Sequence, residues 1–173
     1  MSRLACFSLV AASLLLSGLA VAQLGEHLRP QLGKPAPSGF ESVVMRDGSG
    51  LPKGGGTVQQ GQALYNTHCV ACHGLLGQQA GNALVGGQGT LSTDRPFRTV
   101  GSYWPYATTL FDYINRAMPY GQEKSLTADE VYAVTTYVLY LNDIINKDAQ
   151  LDQENLATVR MPNATGFSSA ENW

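Results

Sequence analysis

Gly61-Gln62-Ala63-Leu64-Tyr65-Asn66-Thr67-His68-Cys69-Val70-Ala71-Cys72-His73 is the stretch on which the reading of this chain turns. Its last five residues are Cys-x-x-Cys-His. Two thiols one helical turn apart can each add to a vinyl group of one haem, and the adjacent histidine can supply an imidazole to the iron. The motif is therefore the attachment signature of a c-type haem. Two other chemistries use paired cysteines. A thiol redox site of the thioredoxin kind follows a strand in a βαβ unit, and no strand is read before Cys69. A structural zinc site needs four N or S ligands; Cys69, Cys72 and His73 give three, and only His68 or His27 could complete the set. The spacing favours one covalently attached haem c, with Cys69 and Cys72 as thioether anchors and His73 as the proximal ligand.

Upstream, Thr57-Val58-Gln59-Gln60 is a capping box, which predicts a helix from residue 58 to about 72. Residues 23–56 hold Pro30, Pro35, Pro37 and Pro52 and the glycine run 48–56, so they read as a linker or as an extended arm laid along a partner; the scattered Leu32, Phe40, Val43, Val44 and Leu51 favour some ordering, and helical order is expected to begin at Thr57. Residues 1–22 read as a secretory signal peptide: Arg3, an apolar run diluted by serines, then Ala20-Val21-Ala22 as a cleavage site. Its removal takes Cys6 with it and leaves Cys69 and Cys72 as the only cysteines. No later segment is apolar enough to span a membrane. A secretory signal on a haem protein points to the periplasm.

Downstream comes a glycine-rich loop, then a helix predicted over 106–117 from the spacing of Leu110, Ile114 and Ala117, ended by Pro119. Thr127-Ala128-Asp129-Glu130 is a second capping box. Val131, Val134, Val138, Leu141 and Ile145 follow at helical spacing and predict one apolar face. Residues 147–173 are polar and read as an irregular tail. No convincing strand and no internal repeat is seen. The expected organisation is a signal at 1–22, an arm at 23–56, a small all-α domain at 57–146 and a tail at 147–173.

The iron needs a sixth ligand or an open position. Beyond the signal, the methionines are Met45, Met118 and Met161. Met118 lies between two predicted helices, and Pro119 stiffens its loop, so Met118 is the expected axial thioether. A core methionine at 118, with Met161 or an open site at the iron, is the alternative. Six aromatics fall between residues 103 and 120, among them Tyr103 and Trp104. Rings pack well on a flat apolar macrocycle. Tyr103, Trp104, Arg98 and Arg116 are candidate partners for its propionates. The chain of 173 residues has a formal charge of −2 and 14 % charged residues. Length leaves no room for a large two-domain enzyme, and nothing resembles the clustered basic face of a nucleic-acid binder.

The pattern Gly61-x3-Tyr65-x3-Cys69 resembles the N-terminal helix of class I cytochromes c. In that family the glycine lets a C-terminal helix cross closely and an aromatic from each helix meets at the crossing, which would pair Tyr65 with Tyr137 or Tyr140. The order of haem motif, loop ligand and C-terminal helix also matches. A closer resemblance, to the SoxD family of sulfane dehydrogenase cytochromes, lies in Leu51-Pro52-Lys53-Gly54, Gly86-Gly87-Gln88-Gly89-Thr90-Leu91 and Asp94-Arg95-Pro96. It is stronger in residues 100–107 (VGSYWPYA) and 111–119 (FDYINRAMP), and continues in 129–134 and 159–163. The resemblance implies a class I cytochrome c fold and an electron-transfer subunit rather than an enzyme acting alone. The implied electron donor is a molybdenum-containing, SoxC-like dehydrogenase subunit, and the acceptor a downstream cytochrome c. Cytochrome subunits of sulfite dehydrogenases look similar, and a free periplasmic electron carrier is a further possibility. Some members carry a second haem domain; this sequence has a single Cys-x-x-Cys-His.

Overall fold

Thr57 opens the first long helix as its capping box requires. Its hydroxyl accepts from the Gln60 amide at 3.2 Å, and the Gln60 side chain accepts from the Thr57 amide at 2.9 Å. In the computed structural model, which describes residues 43–168, the elements in chain order are β1 (Gly55–Thr57), α1 (Val58–His68), α2 (Val70–His73), α3 (Val100–Tyr103), α4 (Ala107–Ala117), α5 (Ala128–Leu141) and β2 (Gln150–Asp152). A single 3-10 turn, Leu156–Thr158, follows β2. The segment read as a signal, the arm up to residue 42 and residues 169–173 lie outside the described residues.

The core forms where α1 crosses α5. A Cβ on Gly61 would run into the Ala133 carbonyl, so glycine is what lets the two backbones approach. Tyr65 and Tyr137 meet one turn further on, ring centroids 5.2 Å apart and tilted by 60°. Of the two partners expected for Tyr65, Tyr137 is the one in contact. Helix α4 lays Leu110, Phe111 and Ile114 against the other side of α5, and Phe111 meets Tyr132 at 4.4 Å.

Four expectations need correction. The helix expected to reach residue 72 breaks at Cys69, whose carbonyl accepts from both the Cys72 amide (3.2 Å) and the His73 amide (2.9 Å) in a tight separate turn. Helix α5 stops at Leu141, and Ile145 lies beyond it; every residue from Val131 to Leu139 is buried, so it is a central helix rather than one with a single apolar face. The buried Thr135 and Thr136 hydroxyls donate to carbonyls one turn back, at 2.7 Å each.

A small sheet also exists where none was read. Strands β1 and β2 pair antiparallel with Gly56 opposite Leu151. Three-residue strands carry no usable periodicity, and two glycines hide β1 from any propensity argument. Finally, the packed core is not confined to residues 57–146. Val44 from the arm and Leu151, Leu156 and Met161 from the tail sit in the same core cluster as Tyr65 and Phe111. Burial of such side chains stabilises by about 1.5–3 kcal/mol each. The Tyr132 hydroxyl donates to the Pro52 carbonyl at 2.9 Å, fixing the arm across α5. Prolines excluded helix from the arm but did not exclude extended packing.

Candidate functional site

The end of α1, the turn α2 and the segment after α4 wall one cavity of about 390 Å³. Cys69, Cys72, His73 and Met118 all line it. The first three arrive together because α2 is one turn: Cys69 caps it, and Cys72 and His73 close back onto the Cys69 carbonyl. Met118 caps the C-terminus of α4, with its amide bonded to the Ile114 carbonyl at 3.1 Å. The Met118–Pro119 peptide is cis. The other two methionines are elsewhere. Met45 is 55 % exposed, and Met161 is 2 % exposed within the core; neither lines the cavity.

His73 is fixed by its outer nitrogen. Its Nδ1 lies 2.7 Å from the Asn82 carbonyl oxygen. A carbonyl can only accept, so Nδ1 carries the proton and Nε2 keeps its lone pair for a metal. The turn is held from the side as well. The Tyr65 hydroxyl donates to the Gly74 carbonyl at 2.9 Å, and burial pushes the Tyr65 phenol up to about 12. Neither Asn82 nor Tyr65 was singled out for these roles by sequence. The Asn82 contact uses a main-chain carbonyl, which leaves no mark on residue type.

The remaining walls are apolar. Leu84, Val100, Leu110, Ile114, Val134 and Val138 come from four different segments. Trp104 and Tyr113 meet edge to face at 5.5 Å, and both line the cavity. Tyr120, 89 % exposed, stands at the rim. Of the four residues considered for propionates, only Trp104 lines the cavity. The Arg98 guanidinium lies over the Tyr103 ring at 5.6 Å, and Arg116 Nε is 2.8 Å from Asp112 Oδ1.

The competing chemistries fit poorly. Burial, and then the neighbouring Cys72, push the free Cys69 thiol up to about 11, whereas a reactive redox cysteine needs a lowered value. Among the described residues no three His, Cys, Asp or Glu side chains converge as a zinc site requires. A haem fits. The cavity walls are aromatic and aliphatic, and two thiols, an imidazole of fixed tautomer and a thioether all line the same space. When bound, haem c supplies a one-electron Fe(III)/Fe(II) couple.

The sequence model of the cytochrome c family matches residues 58–142. No curated protein matches the chain. Among solved structures, the chain is similar to the sulfane dehydrogenase SoxCD from Paracoccus pantotrophus. The two share 38 % identity over 83 % of this chain and 74 % of that chain, with a TM-score of 0.76. With that identity over that length, and with the haem-attachment turn, helix crossing and cavity in place, the chain belongs to the class I cytochrome c family as a SoxD-like, electron-transferring member that carries covalently attached haem c.

Proposed function

We propose that this chain is a periplasmic monohaem subunit that takes electrons from a molybdenum-containing, SoxC-like sulfane dehydrogenase and passes them to a downstream cytochrome c. The observation that carries the reading is the 38 % identity to SoxCD across 83 % of the chain. A carrier that only diffused would need little beyond the haem core. Here Val44, Leu156 and Met161 complete that core from segments outside the family match at 58–142. The secretory reading of residues 1–22 supports the compartment.

Within this reading Cys69 and Cys72 anchor the haem, and His73 and Met118 hold its iron. The chain's residues set the conditions for electron passage. The Asn82 carbonyl keeps the proton on His73 Nδ1 and makes the imidazole a stronger donor. Leu84, Val100, Leu110 and Val138 exclude water, so little solvent must reorganise when charge arrives. Trp104 and Tyr113 fix one wall of the cavity.

Affinity purification of the tagged protein from its native periplasm, with iron and molybdenum analysis, tests the assignment. Molybdenum in fixed ratio to iron, and haem reduction on adding sulfane-loaded carrier protein, is the expected result. Reduction by sulfite instead would make it a sulfite dehydrogenase subunit. Iron without molybdenum, with no haem reduction by either substrate, would leave a free carrier and overturn the proposal.

A further inference from the structure

Asn142 is the first residue past α5, 2 % exposed, and was given no role by the sequence. Its side-chain amide works in two directions. Nδ2 donates to the Val138 carbonyl at 2.9 Å, closing the end of its own helix, and to the Leu84 carbonyl at 3.2 Å, across 58 residues of chain. The Asn142 main-chain carbonyl accepts from Gln88 Nε2 at 2.8 Å. Asn142 Oδ1 has no hydrogen-bond partner and sits against Gly101, where a Cβ would collide with it. One side chain thus joins three walls of the cavity: the loop at Leu84, helix α3 next to Val100, and α5 at Val138.

The loop end of this tether leads directly to the iron ligand. Leu84 is held on both sides, its amide on the Gly77 carbonyl at 2.7 Å and its carbonyl on Asn142. Two residues earlier, the Asn82 carbonyl takes the proton of His73 Nδ1. Asn82 itself is held through its amide on the Gln79 carbonyl at 3.0 Å. A fully buried asparagine with one orphaned oxygen is costly, and a leucine at the end of a central helix would avoid that cost. The amide is retained where it fixes the loop segment that carries the histidine's acceptor.

We propose that Asn142 is a positioning residue for the haem: through Leu84 it holds the Asn82 carbonyl against His73 Nδ1, and so helps to set how strongly the imidazole stabilises oxidised iron. The inference rests on His73 being the iron ligand. Loosening the acceptor weakens the imidazole as a donor and favours the reduced form.

The test compares Asn142→Ala with Thr127→Ala in the holoprotein. Thr127 caps the other end of the same helix, and its hydroxyl bonds with Glu130 rather than with the loop that carries Asn82. The readouts are the haem potential and, by NMR of the reduced protein, the exchange rate of the His73 Nδ1 proton. Asn142→Ala is expected to shift the reduction equilibrium about threefold toward the reduced form and to speed that exchange about tenfold. Thr127→Ala is expected to lower thermal stability and leave both readouts unchanged. If Asn142→Ala does not accumulate as holoprotein, Gln88→Ala removes the parallel tether and should move both readouts in the same sense, by less. Unchanged readouts with lowered stability would overturn the inference and leave Asn142 a helix cap. A parent spectrum with no ligation shift on the His73 ring would overturn the ligand assignment as well.

Discussion

The two sides of the cavity are built by different physics. On the histidine side, each step is a directional bond: Cys69 carbonyl to the His73 amide, His73 Nδ1 to Asn82, Tyr65 hydroxyl to Gly74, Leu84 to Asn142. On the methionine side, Met118 hangs from the last turn of α4 by one amide bond, and the residues that follow run out to the exposed Tyr120. What holds that side is the packing of Leu110, Phe111 and Ile114 against α5. A hydrogen-bonded frame fixes direction, whereas a packed helix end fixes distance more loosely. On the proposed ligation, the histidine side would be the firmer anchor, and the methionine side the one through which ligand chemistry could be altered.

That contrast can be broken from either side, and the effects should fall in order. Removing an anchor thiol is the largest. Cys72→Ala leaves at most one thioether, and haem content of the purified protein, measured by pyridine haemochrome absorbance, should fall to a small fraction. Normal content would count against two-point attachment. Next comes Met118→Ala, which should lower the potential and let cyanide or imidazole bind at the iron, while protein stability changes little. Met161→Ala should do the reverse: it opens a core cavity and costs about 2–5 kcal/mol in denaturant unfolding, with the potential held. An exchange of those two phenotypes would move the axial ligand into the tail.

Smaller effects sharpen the comparison. Tyr65→Phe removes only the hydroxyl that pins Gly74 and should cost about 1 kcal/mol, most of it read as faster amide exchange in the turn after His73. Thr127→Ala removes the cap at the start of α5 and should cost about 1 kcal/mol. Its partner gives a pH signature. The Thr127 amide, and then its hydroxyl, hold the Glu130 carboxyl below its ordinary value. Stability from that group is therefore complete above the unfolded carboxylate range and is lost as pH falls through the lowered folded value. In acid titration of unfolding midpoints, Thr127→Ala, which keeps the amide bond, should lessen that small loss by the hydroxyl's share only.

Much of the histidine side was legible because chemistry there is written in residue types. Cys-x-x-Cys-His and two capping boxes each name a side chain whose role does not depend on distant context, whereas the crossing at Gly61 and Tyr65 was read through the family resemblance. Met118 was singled out for its loop, and the structure brings it to the cavity while sending Met45 to the surface and Met161 to the core. The bonds that join loop to helix were not legible. Asn82 and Leu84 act through carbonyls, which every residue has, and Asn142 is one polar residue after a run of apolar ones. The strands were hidden by glycine. In the arm, proline and glycine forbid a helix without forbidding Val44, one of the scattered apolar residues that favour some ordering, a place in the core. Local rules read local structure; long-range pairing has no short-range signature.

The central claim is that one haem is held between His73 on the bonded side and Met118 on the packed side. The most direct test is NMR of the reduced holoprotein with methionine methyl groups labelled. A methionine bound to the iron lies against the macrocycle, and its methyl resonance is displaced far upfield by the ring current. The account predicts one such resonance, retained in Met161→Ala and Met45→Ala and lost in Met118→Ala. A displaced resonance that survives in Met118→Ala and disappears in Met161→Ala would contradict it.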